Sequence, residues 1–105
     1  MEDKNLLTKL CRISEISSGD LKQFNLRGIE ILVINLKGQI FCLDARCTHA
    51  GAPLAEGEIK DEILICPWHG SQFKISNGTV LKGPAAKPLK GYKSTINEDV
   101  IFLEI

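Results

Sequence analysis

Apolar and polar residues alternate along much of the 105-residue chain with the two-residue period of β-strands, and no segment combines a helical period with capping residues. The longest apolar stretch, Ile29 to Leu36, is rich in β-branched residues and long enough for a central strand. Lys37-Gly38 predicts a hairpin turn into the partner strand, Gln39 to Asp44. Further strands are predicted at 7–13, 21–26, 57–59, 62–65, 72–75, 79–81, 89–96 and 99–105.

Short turns join several of these strands. Lys60-Asp61 is predicted to close a second hairpin, Asn77-Gly78 to form a type I′ turn, and Asn97-Glu98 to join the last two strands. The two hairpins lead the chain directly to Cys47 and to Cys66, so we expect both cysteines at hairpin ends. The pattern predicts an all-β domain in which the segment with these cysteines lies between the outer strands.

The two histidines of the chain both lie within three residues of a cysteine. One group is Cys47-Thr48-His49, and the other, after sixteen intervening residues, is Cys66-Pro67-Trp68-His69. Two cysteines and two histidines suit either a zinc ion or an iron–sulfur cluster. Zinc fingers pair ligands of one kind locally, whereas each local pair here has one thiolate and one imidazole. Mixed pairs suit two metal atoms that each take their own ligand type from both loops.

Cys47-Thr48-His49-Ala50-Gly51 and Cys66-Pro67-Trp68-His69-Gly70-Ser71 resemble the two cluster-binding boxes of Rieske-type [2Fe–2S] ferredoxins, and Gly83-Pro84-Ala85 resembles the proline loop of that family. The resemblance implies a Rieske-like layered antiparallel β-sandwich or barrel. It implies a small cluster-binding subdomain at about 45–84 within a single domain, 1–105. It also implies one [2Fe–2S] cluster per chain with four ligands, which are Cys47, His49, Cys66 and His69.

The same resemblance assigns roles to residues around the ligands. Ser71 matches a position whose hydroxyl donates a hydrogen bond to a bridging sulfide. Trp68 is expected to form an apolar cover over the cluster, and Pro84 to stiffen the loop beside it. Gly51 and Gly70 are small enough to let backbone N–H groups approach the sulfur atoms closely. These five residues are the expected second sphere of the site.

The other two cysteines, Cys11 and Cys42, lie in predicted strands between apolar neighbours, and we expect both to be small buried hydrophobic residues. Cys42 and Cys47 also have the spacing that opens a plant-type ferredoxin motif. That motif requires another cysteine where this chain has Ala50, and it leaves both histidines without a role. A cluster with four cysteine ligands is therefore rejected.

Charge, hydropathy and cysteine positions indicate the compartment. Thirteen basic and thirteen acidic residues balance, which argues against nucleic-acid binding. The longest apolar stretch is too short to span a bilayer, and the first residues lack a signal-peptide pattern, so no membrane association is expected. High-potential Rieske proteins carry a disulfide whose cysteines correspond to Ala52 and Trp68 here. Its loss suits a reducing cytoplasm.

The resemblance implies a soluble, monomeric one-electron carrier rather than an enzyme. Its expected partners are redox proteins, namely a reductase and a terminal oxidoreductase such as a ring-hydroxylating oxygenase. Two alternatives stay open on the sequence. One is a small Rieske subunit of a larger oxidoreductase, similar to the small subunit of a nitrite reductase, and the other is a structural zinc module without a redox role.

Overall fold

The computed structural model describes residues 7–104, which contain eleven β-strands and two 3₁₀ turns of three residues each. The predicted position of Ile105 in the last strand lies outside the described residues. No helical segment within 7–104 has the length and apolar character needed to cross a bilayer. The strands are β1 Leu7–Arg12, β2 Leu21–Leu26, β3 Ile29–Leu36, β4 Gln39–Asp44, β5 Glu58–Lys60, β6 Ile63–Ile65, β7 Gln72–Lys74, β8 Val80–Lys82, β9 Gly91–Tyr92, β10 Ser94–Asn97 and β11 Val100–Glu104.

Three antiparallel sheets form the layers of the domain. The central sheet has the order β2-β3-β4-β9, an outer sheet has the order β1-β11-β10, and a small sheet has the order β5-β6-β7-β8. Side chains of β3 point alternately into the two spaces between these layers. Leu32 and Ile34 pack toward the small sheet, whereas Ile31 and Val33 pack toward the outer sheet. β3 is continuously apolar from Ile31 to Ile34 because both of its faces are buried there, and the predicted layered all-β fold is confirmed.

Two hydrophobic cores fill the spaces between the layers. The core toward the small sheet includes Leu64, Phe73 and both cysteines of the candidate site. The core toward the outer sheet includes Cys11 and Cys42, which are buried as predicted. Burial raises the pKa of the Cys11 thiol to about 11 and that of Cys42 to about 12. Both thiols therefore stay protonated at neutral pH and behave as small hydrophobic groups.

The predicted strand 89–96 is wrong as a single element, because the chain changes sheets within it. Strand β9 pairs with β4 in the central sheet, whereas β10 pairs with β11 in the outer sheet. The N–H of Leu89 donates instead to the carbonyl of Gly78. Leu89 therefore binds the loop between β7 and β8 and takes no part in strand pairing. The last turn also lies one residue later than predicted, at Glu98-Asp99, where both residues have positive φ.

Two further turns differ from their predictions. Asn77-Gly78 is not a type I′ turn, because only Gly78 has a positive φ and that turn requires it at both positions. The Asn77 side chain accepts a hydrogen bond from the Thr79 N–H, and the Gly78 N–H donates to Lys74, which makes a wider loop. The hairpin of β5 and β6 turns one residue later than predicted, with Asp61 at φ +56°. Other predicted strands agree within one residue over the described range.

Tyr92 anchors the short strand β9 against β4. Its hydroxyl donates to Asp44 Oδ1 at 2.8 Å, and the other oxygen of that carboxylate accepts from the N–H of Lys90 at 3.2 Å. Burial, followed by the hydrogen bond and the charge of Asp44, raises the pKa of Tyr92 to about 12. This anchor fixes the path of the chain as it leaves the candidate site.

Tyr92 is the only tyrosine of the chain, so an alkaline titration of tyrosinate absorbance reports its pKa alone. We expect a midpoint near 12, above the ordinary value of about 10. The raised folded-state pKa means that this contribution to stability is complete below pH 10 and is lost as pH rises toward 12. The free energy of unfolding in urea should therefore fall less between pH 10 and pH 12 for the Tyr92→Phe variant than for the wild type. A midpoint near 10 in the folded protein would contradict the anchor.

Candidate metal centre

There are two candidate ligand loops, loop 1 (47–52) and loop 2 (66–71). Each is closed by a backbone hydrogen bond between its first and last residues. The N–H of Cys47 donates to the carbonyl of Ala52 at 2.9 Å, and the N–H of Cys66 donates to the carbonyl of Ser71 at 2.8 Å. Each loop therefore begins at its cysteine and returns beside it. The two loops lie at the ends of β4 and β6, as the hairpin pattern predicted for both cysteines.

Each loop contains a glycine in the left-handed backbone region just before its closing residue. Gly51 has φ +73° and Gly70 has φ +76°. A Cβ added at either glycine would meet no heavy atom of the protein within 4 Å. Close approach to sulfur was the predicted reason for these glycines, and the positive φ is a second reason. Other residues adopt this conformation at an energetic cost, so glycine is favoured at both positions.

The two cysteine side chains lie together in the core between the central and small sheets. Cys47 is 3% exposed and Cys66 is 4% exposed, and both belong to the same cluster of buried side chains. Burial raises the pKa of the Cys66 thiol, and Cys47 adds to the effect. Hydrogen bonds from the backbone N–H groups of Trp68 and His69 to the Cys66 sulfur oppose the shift. Those N–H groups favour the thiolate, which is the form that binds metal.

The two histidine side chains form a second pair, at the surface. The ring centroids of His49 and His69 are 5.1 Å apart, and the rings meet edge to face at 80°. Both histidines are exposed, in contrast to the buried cysteines. The site thus has an inner pair of thiols and an outer pair of imidazoles, although each loop contributes one of each.

These four side chains suit two metal atoms better than one. Within residues 7–104, no group of three or more cysteine, histidine or acidic side chains converges on a site for a single ion. A structural zinc site requires four ligands at about 2.0–2.3 Å from one ion. A Rieske centre instead gives each of its two irons two protein ligands, cysteines on one and histidines on the other. The arrangement of thiols and imidazoles therefore fits a Rieske [2Fe–2S] cluster.

Comparison with known families agrees with this geometry. The family of the Rieske [2Fe–2S] domain matches residues 7–93 of the chain. The chain belongs to the Rieske family. A Rieske domain binds a [2Fe–2S] cluster, so the cofactor of this protein is an iron–sulfur cluster rather than zinc.

Individual relatives of this Rieske protein include small ferredoxins. The ferredoxin component of biphenyl 2,3-dioxygenase from Rhodococcus jostii (strain RHA1) is 28% identical over 99 residues, which cover 94% of this chain and 92% of that protein. Human apoptosis-inducing factor 3 is 27% identical over 94 residues, but the chain spans only 16% of its length. The structure of the Sphingomonas yanoikuyae B1 ferredoxin has a TM-score of 0.88 and 28% identity, covering 97% of this chain and 99% of that one.

A third segment, the proline segment (83–87), lies against both loops of the Rieske site. The Ser71 Oγ, which is fully buried, accepts a hydrogen bond from the N–H of Ala85 at 3.0 Å. The hydroxyl proton of Ser71 is therefore free to donate elsewhere. The Thr48 hydroxyl donates to the carbonyl of Lys87 at 2.7 Å and joins loop 1 to the same segment. Pro84 occupies the turn of this segment, after a cis peptide bond from Gly83.

Sequence reasoning missed Thr48 and gave Trp68 a different environment. The acceptor of the Thr48 hydroxyl is 39 residues away, so no local pattern predicts that hydrogen bond. The Trp68 side chain is 55% exposed, the largest exposure among the large hydrophobic residues described. Its backbone N–H donates to the Cys66 sulfur, and its role as a cover over the cluster stays a prediction.

Proposed function

We propose that Cys47 and Cys66 bind one iron of the cluster and that His49 and His69 bind the other. The observation that carries this assignment is the separation of the four side chains into a buried thiol pair and an exposed imidazole pair. The proposed second sphere consists of Ser71, Trp68, Gly51, Gly70 and Pro84. The cluster-binding subdomain is proposed to span about 45–84 within a single domain of residues 1–105.

We further propose that the protein is a one-electron carrier between a reductase and a terminal oxidoreductase such as a ring-hydroxylating oxygenase. Support comes from the ferredoxin component of a biphenyl dioxygenase, a protein of nearly the same length with 92% of its chain covered. The carrier is a component of an oxygenase system and catalyses no reaction alone. We propose that it acts as a monomer in the cytoplasm, which agrees with four free cysteines in the described residues.

The residues around the site prepare it for electron transfer. When bound, the cluster supplies a one-electron couple. Burial of Cys47 and Cys66 keeps water from the thiolates, and the N–H groups of Trp68 and His69 offset negative charge on the Cys66 sulfur. The exposed imidazole of His49, beside that of His69, brings the edge of the site to the surface. A redox partner can therefore approach the site without a change in fold.

Metal analysis and purification from the native host test this function. The pure protein should contain two iron and two acid-labile sulfides per chain and accept one electron, with an EPR signal after reduction. One zinc per chain without labile sulfide would contradict the proposal. A free carrier should elute alone in size-exclusion chromatography of a native extract. Stable elution with a large oxidoreductase would favour the subunit alternative instead.

Replacing Ser71 by alanine should lower the reduction potential by about 60 mV, which equals a tenfold change in a one-electron equilibrium. The Ser71 oxygen accepts from the Ala85 N–H through a lone pair, which leaves its O–H able to donate to sulfur. A donor to sulfur favours the reduced state, in which sulfur carries more charge. Voltammetry measures the shift, and Ser76→Ala, at an exposed serine of the β7–β8 loop, is the matched control. Equal potentials in the wild type and Ser71→Ala would exclude this donor.

A further inference from the structure

Arg46 holds two parts of the protein at once. Its Nε and Nη2 donate to the two carboxylate oxygens of Glu30, at 2.9 and 3.2 Å. Its Nη1 donates to the carbonyl of Gly51 at 3.1 Å. Two parallel bonds between a guanidinium and a carboxylate fix the plane of the guanidinium, so the third donor has a defined direction. The hydrogen bonding from Arg46, followed by its charge, keeps the pKa of Glu30 below its usual value, so the pair is ionised at neutral pH.

The two ligand loops differ in the backbone pairing that joins the residues at the start and end of each loop. Loop 2 lies between β6 and β7, which pair over three residues, and the hydrogen bond from Cys66 to Ser71 continues that ladder. Loop 1 has no such pair of strands. Its base is an isolated bridge between Arg46 and Pro53, which consists of the hydrogen bonds from Cys47 to Ala52 and from Leu54 to Ala45. The backbone alone therefore constrains loop 1 less than it constrains loop 2.

The Arg46 side chain supplies the missing constraint on loop 1. Glu30 belongs to β3, whose following residues are completely buried between the two cores, so this anchor is rigid. Gly51 lies at the far side of loop 1, and its N–H donates to the carbonyl of Cys47. A bond to the Gly51 carbonyl therefore fixes the turn that places Cys47 and His49. Glu30, Arg46 and Gly51 form one chain of contacts from the central sheet to this turn.

We propose that Arg46 is a positioning residue that, anchored by Glu30, orients loop 1 and sets how firmly the cluster is held. This inference rests on the proposed assignment of Cys47 and His49 as ligands. The Arg46 and Glu30 side chains are 52% and 37% exposed, so the pair contributes little to global stability. Variants at these positions are expected to fold, and their effects are expected at the site.

The test is the rate at which the purified protein, with its cluster, loses iron to an excess of EDTA, followed by visible absorbance. Arg46→Gln and Glu30→Gln should each release iron about tenfold faster than the wild type, because Arg46→Gln removes the hydrogen bond to the Gly51 carbonyl and Glu30→Gln removes the carboxylate that anchors it. Arg46→Lys should release iron at the same rate as Arg46→Gln, since lysine keeps the positive charge but cannot make the two parallel hydrogen bonds to Glu30. The double variant should be no faster than either single variant, as expected for one interaction.

A purely electrostatic role gives a different result. Arg46→Gln removes a positive charge and Glu30→Gln removes a negative charge, so an electrostatic effect shifts the reduction potential in opposite directions. A positioning role moves the EPR g-values of both variants in the same direction. Arg27→Gln, which removes an exposed arginine from the turn before β3, is the charge-matched control and should release iron at the wild-type rate.

The outcomes separate this inference from the proposed function. A wild-type protein without iron and labile sulfide would contradict the proposed function itself. A wild-type protein with a normal cluster, together with wild-type iron release in Arg46→Gln and Glu30→Gln, would leave the function intact and overturn the role of Arg46. Opposite shifts in the reduction potentials of Arg46→Gln and Glu30→Gln, without faster iron release, would overturn it as well. Iron release in Arg27→Gln as fast as in Arg46→Gln would also overturn it.

Discussion

Alanine at Cys47 or Cys66 is expected to leave the purified protein without iron and without labile sulfide. Each substitution removes one of two thiolates from a buried pair, and an alanine side chain cannot replace that bond to iron. Alanine at His49 or His69 should have the same effect at the outer pair. Iron and sulfide analysis, with the visible spectrum, measures the loss directly, and the expected change is from two of each per chain to none.

The other two cysteines provide the matched control. Cys11 and Cys42 are as buried as Cys47 and Cys66, but they lie in the core toward the outer sheet. Cys11→Ala and Cys42→Ala should keep the full complement of iron and sulfide, with only the modest destabilisation that a smaller buried side chain brings. Loss of the cluster in either control, or its retention in Cys47→Ala, would refute the assignment of ligands.

Gly78→Ala is expected to destabilise the fold by about 3 kcal/mol, which corresponds to a fall of roughly 10–20 °C in the unfolding temperature. Two effects add at this position. Gly78 has φ +76°, which an alanine adopts only at a cost of about 1–2 kcal/mol. An added Cβ would also overlap the carbonyl oxygen of Leu89, whose N–H is bound to Gly78. Thermal unfolding at a fixed scan rate measures the change.

Gly28→Ala separates these two effects. Gly28 has φ +80°, close to that of Gly78, but an added Cβ there meets no atom within 4 Å. This variant should show only the backbone cost, about 1–2 kcal/mol. If Gly78→Ala and Gly28→Ala lowered the unfolding temperature equally, the contact with Leu89 would contribute nothing.

Local pattern was sufficient for the central hairpin and for the candidate ligands. The β-branched run of β3 and the turn at Lys37-Gly38 lie within a short segment, so neighbouring residues determine both. The two Cys/His groups can also be recognised from short stretches of sequence, because metal ligands depend on residue type and spacing. The Rieske resemblance arose from these groups, and the family match over 7–93 confirmed it.

Long-range contacts decided what local pattern could not. The strand predicted at 89–96 divides because Gly91 pairs with Leu43 of the central sheet while Ser94 pairs with Leu103 of the outer sheet. Alternation of apolar residues shows which side chains are buried, but it does not show which sheet a strand joins. The turn at Asn77-Gly78 likewise differs from the type I′ turn that this dipeptide predicts. Its loop is bound by the hydrogen bond from Leu89 to Gly78, which no local pattern predicts.

The sequence by itself determined the chemical identity of the site, since two thiols and two imidazoles in mixed pairs specify a donor set whatever the surrounding fold. Only the tertiary structure decided how that donor set is arranged, with thiols inside and imidazoles outside. It also decided what supports the loops. The Arg46–Glu30 contact depends on the register in which β3 pairs with β4, and the Thr48–Lys87 contact joins residues 39 positions apart that meet only when the proline segment packs against loop 1.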